Sequence, residues 1–245
     1  MSAKPFLKLV FIFLLLISSW QSVCAQTEIT PPIELEKVTL QLKWLHQFQF
    51  AGYYAAKLKG YYQDQGLDVE IKQRDQYKNN IQQVIDGEAE YGVSDSILLL
   101  YQARKEPVVI IAPIFQHSPQ VLISLKSSDL DSPYKLDDKH IVFYQKDTDG
   151  LPLLAMFEQL GIKPELERVF IKGDPSVLIR GETLAYPGYL SNEPYHLLKN
   201  GYKINIFRPM NFGIDFYGDM LFTNRDEVKN HPLRVERFKQ ATLKG

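Results

Sequence analysis

Val38, Leu40, Leu42 and Trp44 fall on one parity of the chain, as the buried face of a strand requires. The spacing then changes, and Phe50 to Lys59 reads as a helix stopped by Gly60. A second strand is predicted at Leu67, Val69 and Ile71. After it come a helical stripe of Ile81, Val84 and Ile85 ended by Gly87, a short strand at Tyr91 to Val93, and an apolar helix at Ser96 to Ala103. Pro107 to Phe115 is a continuous apolar run, suited to a strand buried on both faces. The order is βαβαβ, which predicts a parallel sheet covered by helices. Beyond Ser118 the pattern repeats with strands at Val121 to Leu125, Ile141 to Tyr144 and Val169 to Ile171. Its helices are expected at Gly150 to Leu160, Ser176 to Arg180 and Leu190 to Lys199. Met220 to Thr223 reads as a returning strand and Asp226 to Leu243 as a closing helix. The fold class is therefore α/β, in two lobes. The lobe boundaries are expected at residues 36–116 plus 212–245 for the first and 117–211 for the second.

The amino-terminal end adds a compartment. Lys4 and Lys8, the apolar run Leu9 to Ile17 and the small-residue site Val23-Cys24-Ala25 form a secretory signal over residues 1–25, so the mature chain should begin at Gln26. A retained anchor is the alternative, but the apolar run is shorter than the roughly 20 residues a spanning helix needs. A lipid on Cys24 fits less well, because Gln21-Ser22-Val23 lacks the usual leucine and small residue. Cys24 is the only cysteine, and its removal excludes disulfides, thiolate metal sites and a cysteine nucleophile. Without Lys4 and Lys8 the chain carries 26 basic against 29 acidic residues, a net −3 that argues against nucleic acid as a partner.

In a sheet of this class ligands sit beyond the carboxyl ends of the strands, and the segment Trp44 to Tyr53 occupies that place after the first strand. Trp44 can stack on a flat ring, with Tyr53 a further aromatic face, while His46, Gln47 and Gln49 can hydrogen-bond its edge. Phe48 and Phe50 are equally suited to packing the lobe. Ser94, in Ser94-Asp95-Ser96, lies where strand becomes helix, so it can cap the helix or hold a polar group. Gln116 and His117 fall at the crossover between the lobes. Asn192 and Glu193 lead a helix, where a carboxylate also suits the helix dipole. Asp215, Tyr217 and Asp219 lie on the return crossover, and a solvated turn is the plain alternative. No G-x-S-x-G, P-loop, G-x-G-x-x-G or zinc spacing of the five histidines occurs, so no metal and no cofactor is expected.

The blocks LQLKWLHQFQFAGYYAAKLKGYYQDQGLDVEI, GEAEYGVSDSILLL, IIAPIFQHSPQVLIS, GYLSNEPY and NFGIDFYGDMLFTNRDEVKNHPLRVERFKQATLKG resemble, in order, those of the thiamine-pyrimidine-synthase-like family of periplasmic binding proteins. The resemblance spans Val38 to Gly245. It implies a two-lobed, type II periplasmic fold that closes on a small molecule, a hinge strand at Gln116 and His117, and cleft positions for Tyr189, Asn192 and Glu193. The chain looks most similar to input domains of bacterial sensor kinases and cyclases, and then to solute-binding proteins of ABC importers. The partners implied are a small-molecule ligand and a membrane sensor or an ABC permease. Members usually continue beyond the point where this chain stops, which leaves a truncated sensor and a degraded paralogue as open readings. Fungal relatives make the thiamine pyrimidine with a pyridoxal-phosphate lysine, a sacrificial histidine and a cysteine-rich segment. Here Ser94 and Leu98 stand at the first two positions and Phe216 to Thr223 has no cysteine, so an enzyme is not expected.

The candidate loops combine aromatic faces, amides and the carboxylates of Glu193, Asp215 and Asp219, with no arginine among them. Burying an anion beside unpaired carboxylates is costly, so the expected ligand is a planar, nitrogen-rich solute such as an aminopyrimidine.

Overall fold

The computed structural model describes residues 34–146, 149–170 and 173–245, so the leader and its cleavage site lie outside the described residues. In chain order the strands are β1 (Glu36–Gln41), β2 (Leu67–Lys72), β3 (Tyr91–Ser94), β4 (Val108–Pro113) and β5 (Gln120–Leu125), followed by β6 (His140–Tyr144), β7 (Glu165–Val169), β8 (Tyr186–Tyr189), β9 (Ile204–Phe207) and β10 (Met220–Asn224). Among the helices are α1 (Ala51–Leu58), α2 (Asn80–Ile85), α3 (Ile97–Ala103), α4 (Leu151–Leu160), α5 (Glu193–Lys199), α6 (Arg225–Asn230) and α7 (Pro232–Lys244).

The first sheet has the order β2-β1-β3-β10-β4. β1 and β2 pair in parallel, and in β2 Leu67 and Val69 are buried while Asp68 and Glu70 point to water. β3 is buried throughout and continues the parallel set on the other side of β1. The expectation of a wholly parallel βαβαβ sheet fails at the next position. β10 inserts between β3 and β4 and runs antiparallel to both. An apolar run reports burial on two faces but neither the neighbour nor the direction of a strand.

A second sheet has the order β8-β5-β9, with β5 antiparallel to both partners, and β6 and β7 form a separate parallel pair. Here too the pattern misleads in places. The strand expected at Val169 to Ile171 lies earlier, at Glu165–Val169, where Leu166 and Val169 supply only a half-buried face, and Ile171 lies outside the described residues. The sequence pattern does not predict β8 or β9, and in β8 the sequence Tyr-Pro-Gly-Tyr has the low strand propensity of proline and glycine. The helix expected from Leu190 therefore starts only at Glu193. The closing helix is two helices, broken at His231 because Pro232 starts α7 and disfavours helical backbone in the residue before it.

Two chain segments run side by side between these sheets. Ser118 N–H donates to the Phe216 carbonyl at 2.7 Å, Gly218 N–H to Phe115 at 2.9 Å and Phe115 N–H to Asp219 at 3.0 Å. α7 then returns to the first sheet, where the Phe238 ring lies flat on Tyr91 at 3.8 Å and the Tyr62 hydroxyl bonds to Thr242 at 2.9 Å. Residues Leu35–Gly245 make one compact unit.

Gly92 of β3 shows how closely this sheet is packed. A Cβ there would meet the buried Phe222 ring at 2.4 Å and Val84 at 2.8 Å. Gly92→Ala should therefore destabilise the fold by about 1–3 kcal/mol through overpacking, read as a lower denaturant midpoint. An unchanged midpoint would mean that Phe222 can move aside.

Candidate ligand-binding site

The chain leaves β1 and bends, and Lys43 projects into the space between the first and second sheets. Its ammonium lies 2.5 Å from Asp95 Oδ2, 3.3 Å from Asp219 Oδ1 and 2.8 Å from the Tyr189 hydroxyl. Tyr189 in turn donates to Asp219 Oδ1 at 2.9 Å, and Gln49 Nε2 donates to Asp219 Oδ2 at 3.2 Å. Burial alone would push the Lys43 pKa down, but Asp95, Tyr189 and Asp219 outweigh it and hold the ammonium well above the ordinary lysine value. Asp219, only 1% exposed, is pushed up by burial in spite of Lys43. One cation thus serves two buried carboxylates and bridges from β1 to the end of β8.

A second bridge runs parallel to it. Arg74, two residues past β2, donates from Nη1 to Asp149 Oδ1 at 2.9 Å. Its backbone N–H donates to the Trp44 carbonyl at 3.0 Å, and its guanidinium lies 5.9 Å from the Trp44 ring centre. Trp44 meets aromatic rings from across the gap: Phe170 stacks on it at 6.2 Å, and Tyr144, at the end of β6, meets it edge-on at 6.1 Å.

These side chains line a cleft of about 400 Å³, part of it open to solvent, together with Pro187, Gly188, Tyr189 and Glu193. Glu193 is 4% exposed and its pKa is pushed up by burial, offset in part by Asn192 and the Tyr189 amide. Its Oε2 accepts from Tyr189 N–H at 2.7 Å and its Oε1 accepts from Asn192 Nδ2 at 2.9 Å. Gly188 permits this approach, because a Cβ there would lie 2.7 Å from that Oε2.

Of the residues singled out in the sequence, the cleft brings together Trp44, Gln47, Gln49, Tyr189 and Glu193. Asp219 sits behind Tyr189, and Asn192 holds Glu193. Tyr53 is buried, with a hydroxyl that has no hydrogen-bond partner and a pKa pushed up by burial and then by Asp219. Ser94 faces an adjoining space. The others lie outside the cleft. His46 is exposed and bonded to the Tyr54 hydroxyl, Gln116 is exposed, and His117 pairs with Asp215 at 2.8 Å on the surface of the crossover. Tyr217 is half exposed, and its carbonyl accepts from Ser96 Oγ.

Arg74, which lies outside the loops singled out in the sequence, also lines the cleft. Sequence reasoning also missed Lys43, Tyr144 and Asp149. Arg74 sits in a charged stretch, Lys72 to Asp75, that reads as solvated surface. The rule that ligands gather beyond the carboxyl ends of strands points to it after β2, and to Tyr144 at the end of β6. Arg74 is matched by Asp149 and Lys43 by Asp95 and Asp219, so the cleft gains no net positive charge.

A model of the NMT1/THI5-like family matches residues 47–245. The chain belongs to this family. It is 26% identical over 239 residues to a formylaminopyrimidine-binding protein of Halalkalibacterium halodurans, covering 96% of this chain and 72% of that one. It is 23% identical over 219 residues to the riboflavin-binding protein RibY of Chloroflexus aurantiacus, covering 86% of this chain and 62% of that protein's length. Among solved structures, the periplasmic sulfonate-binding protein SsuA of a sulfonate ABC transporter from Methylobacillus flagellatus KT superposes with a TM-score of 0.63 at 18% identity, covering 86% of this chain and 68% of that one. The chain thus has the two-lobed α/β fold of periplasmic binding proteins, and the two curated relatives are binding proteins rather than enzymes.

Proposed function

We propose that this NMT1/THI5-like chain is an extracytoplasmic binding module that closes two lobes, residues 36–116 with 212–245 and residues 117–211, on a planar nitrogen heterocycle of the aminopyrimidine type. The observation that carries the reading is Trp44 lying in one cleft with the buried carboxylate of Glu193, an aromatic face beside a hydrogen-bond acceptor. Stacking would supply the area, and the acids would accept the ring's N–H bonds. The bridges from Lys43 to Tyr189 and from Arg74 to Asp149 belong to a closed form, so a ligand held by both lobes shifts the population toward it. The formylaminopyrimidine-binding relative supports the ligand class. Delivery to an ABC permease is favoured over sensory input by the likeness to the SsuA component of a transporter, and the leader at residues 1–25 would carry the chain to that compartment.

Calorimetry with 4-amino-5-hydroxymethyl-2-methylpyrimidine tests the ligand class. Trp44→Ala and Glu193→Gln should each weaken its binding by about 1–3 kcal/mol, a stacked face being lost in one case and a charged acceptor in the other. Equal affinity in both variants and the parent chain would remove the ring from this cleft.

A further inference from the structure

Trp44 stands on irregular backbone between β1 and the turn at Phe48–Phe50, where no strand or helix fixes the direction of its side chain. The Arg74 N–H holds its carbonyl at 3.0 Å, which steadies the main chain but leaves the side-chain torsions free. The groups packed on the indole must therefore set its orientation. Tyr144, at the end of β6, meets it edge-on at 6.1 Å, and the Arg74 guanidinium lies 5.9 Å from its centre. Phe170, the residue after β7, lies 25° from parallel with it at 6.2 Å between centres. Tyr144 and Arg74 line the cleft, so a solute there can touch them directly. Phe170 does not line it, although the indole that it covers does.

A side chain carried on a loop keeps a productive geometry only when packing locks its rotamer. An indole has two faces, and a ring stacked on one leaves the other for a solute. Trp44 comes from residues 36–116, whereas Tyr144 and Phe170 come from residues 117–211. The indole packs against the buried cores on both sides of the gap. The face it offers is thus set from across the gap and not by the loop that carries it.

We propose that Phe170 is a positioning residue for ligand binding: it backs the Trp44 indole on the face turned from the cleft and holds the other face in place for a flat ring. The proposal rests on the ring-binding reading above and adds to it a residue that the ligand itself does not touch. Stacking becomes conditional on the approach of residues 117–211, so binding and closure reinforce one another.

The test uses Trp44 as its own reporter. Trp20 and Trp44 are the two tryptophans, and Trp20 lies in the leader, so in the chain from Gln26 the emission of Trp44 is observed alone. That chain keeps the whole site, since Leu35–Gly245 form one compact unit. Phe170→Ala, Phe170→Leu and Phe170→Tyr are compared with the parent. Without ligand, Phe170→Ala should make the indole more accessible to acrylamide and its anisotropy decay faster, and Phe170→Tyr should match the parent. With 4-amino-5-hydroxymethyl-2-methylpyrimidine, calorimetry should show an affinity about two- to tenfold lower in Phe170→Ala, the worth of one stacked pair. Tyrosine should restore it, and leucine, which fills the space without a flat face, should not. Equal quenching and anisotropy in Phe170→Ala and the parent overturn the proposal, as does an affinity that is unchanged or raised in Phe170→Ala, or restored by leucine. If the pyrimidine does not bind the parent chain, the ring-binding reading has failed and the ligand-free anisotropy decides alone. A faster decay in Phe170→Ala, reversed by tyrosine and not by leucine, then supports the positioning role, and any other pattern overturns it.

Discussion

Replacing Lys43 with methionine should destabilise the fold by about 3–5 kcal/mol, the cost of leaving a buried ion pair without one partner. Methionine keeps most of the volume, so the effect isolates charge. Without the ammonium, Asp219 and Asp95 face one another in a space where neither reaches bulk water freely, and Tyr189 and Gln49 remain the donors to Asp219. The sign of the pH dependence follows. Burial already holds the Asp219 pKa above its ordinary value, and removing Lys43 removes the charge that opposes this. A raised carboxyl pKa contributes stability that is present in acid and lost as pH rises through the folded-state value. The deficit of Lys43→Met should therefore shrink on acidification, and adding Asp219→Asn should recover part of it at neutral pH. Urea denaturation of the three proteins checks this, and a loss below about 1 kcal/mol in Lys43→Met would show that water reaches the cluster.

Asp149→Asn should have an effect of about 2–5 kcal/mol, but on closure rather than on folding. Asp149 matches Arg74 across the cleft at 2.9 Å, whereas the contact that Asp149 makes with Gln120 uses its backbone carbonyl and survives the substitution. The uncompensated guanidinium, 9% exposed in the closed form, regains water when the lobes part, so opening relieves the strain without unfolding. A shift of that size changes the open-to-closed ratio by about thirtyfold or more. Affinity should fall with it, because the competent state is then a smaller fraction of the population. Small-angle scattering should give a larger radius of gyration for the unliganded variant than for the parent chain. Identical scattering curves and identical affinities would mean that the pair does not hold the lobes together.

The parts of this molecule that were legible in its sequence are those governed by local periodicity. Val38 and Leu40 against Leu67 and Val69 announce two half-buried strands, and they pair in parallel as the helix between them requires. Burial pattern says nothing of long-range partner choice, so β10 could be recognised as a strand but not as the antiparallel strand between β3 and β4. The site divides in the same way. Trp44, Tyr189 and Glu193 stand out as aromatic or acidic groups at element ends. Lys43 and Arg74 look like ordinary surface charges beside a strand, and only tertiary structure shows that each has been buried against a carboxylate brought from elsewhere in the chain. His117 and Asp215 are the converse case: the crossover location suggested a site, and the structure turns the pair to solvent.

The central claim is that the cleft holds a planar nitrogen heterocycle and not a simple anion. Its most direct test is a side-by-side titration of the purified chain with 4-amino-5-hydroxymethyl-2-methylpyrimidine and with a linear alkanesulfonate. The arrangement of Trp44 beside Glu193, with Lys43 and Arg74 both matched by carboxylates, predicts saturable one-to-one binding of the pyrimidine and much weaker heat from the sulfonate. Tight binding of the sulfonate with no response to the pyrimidine would contradict it.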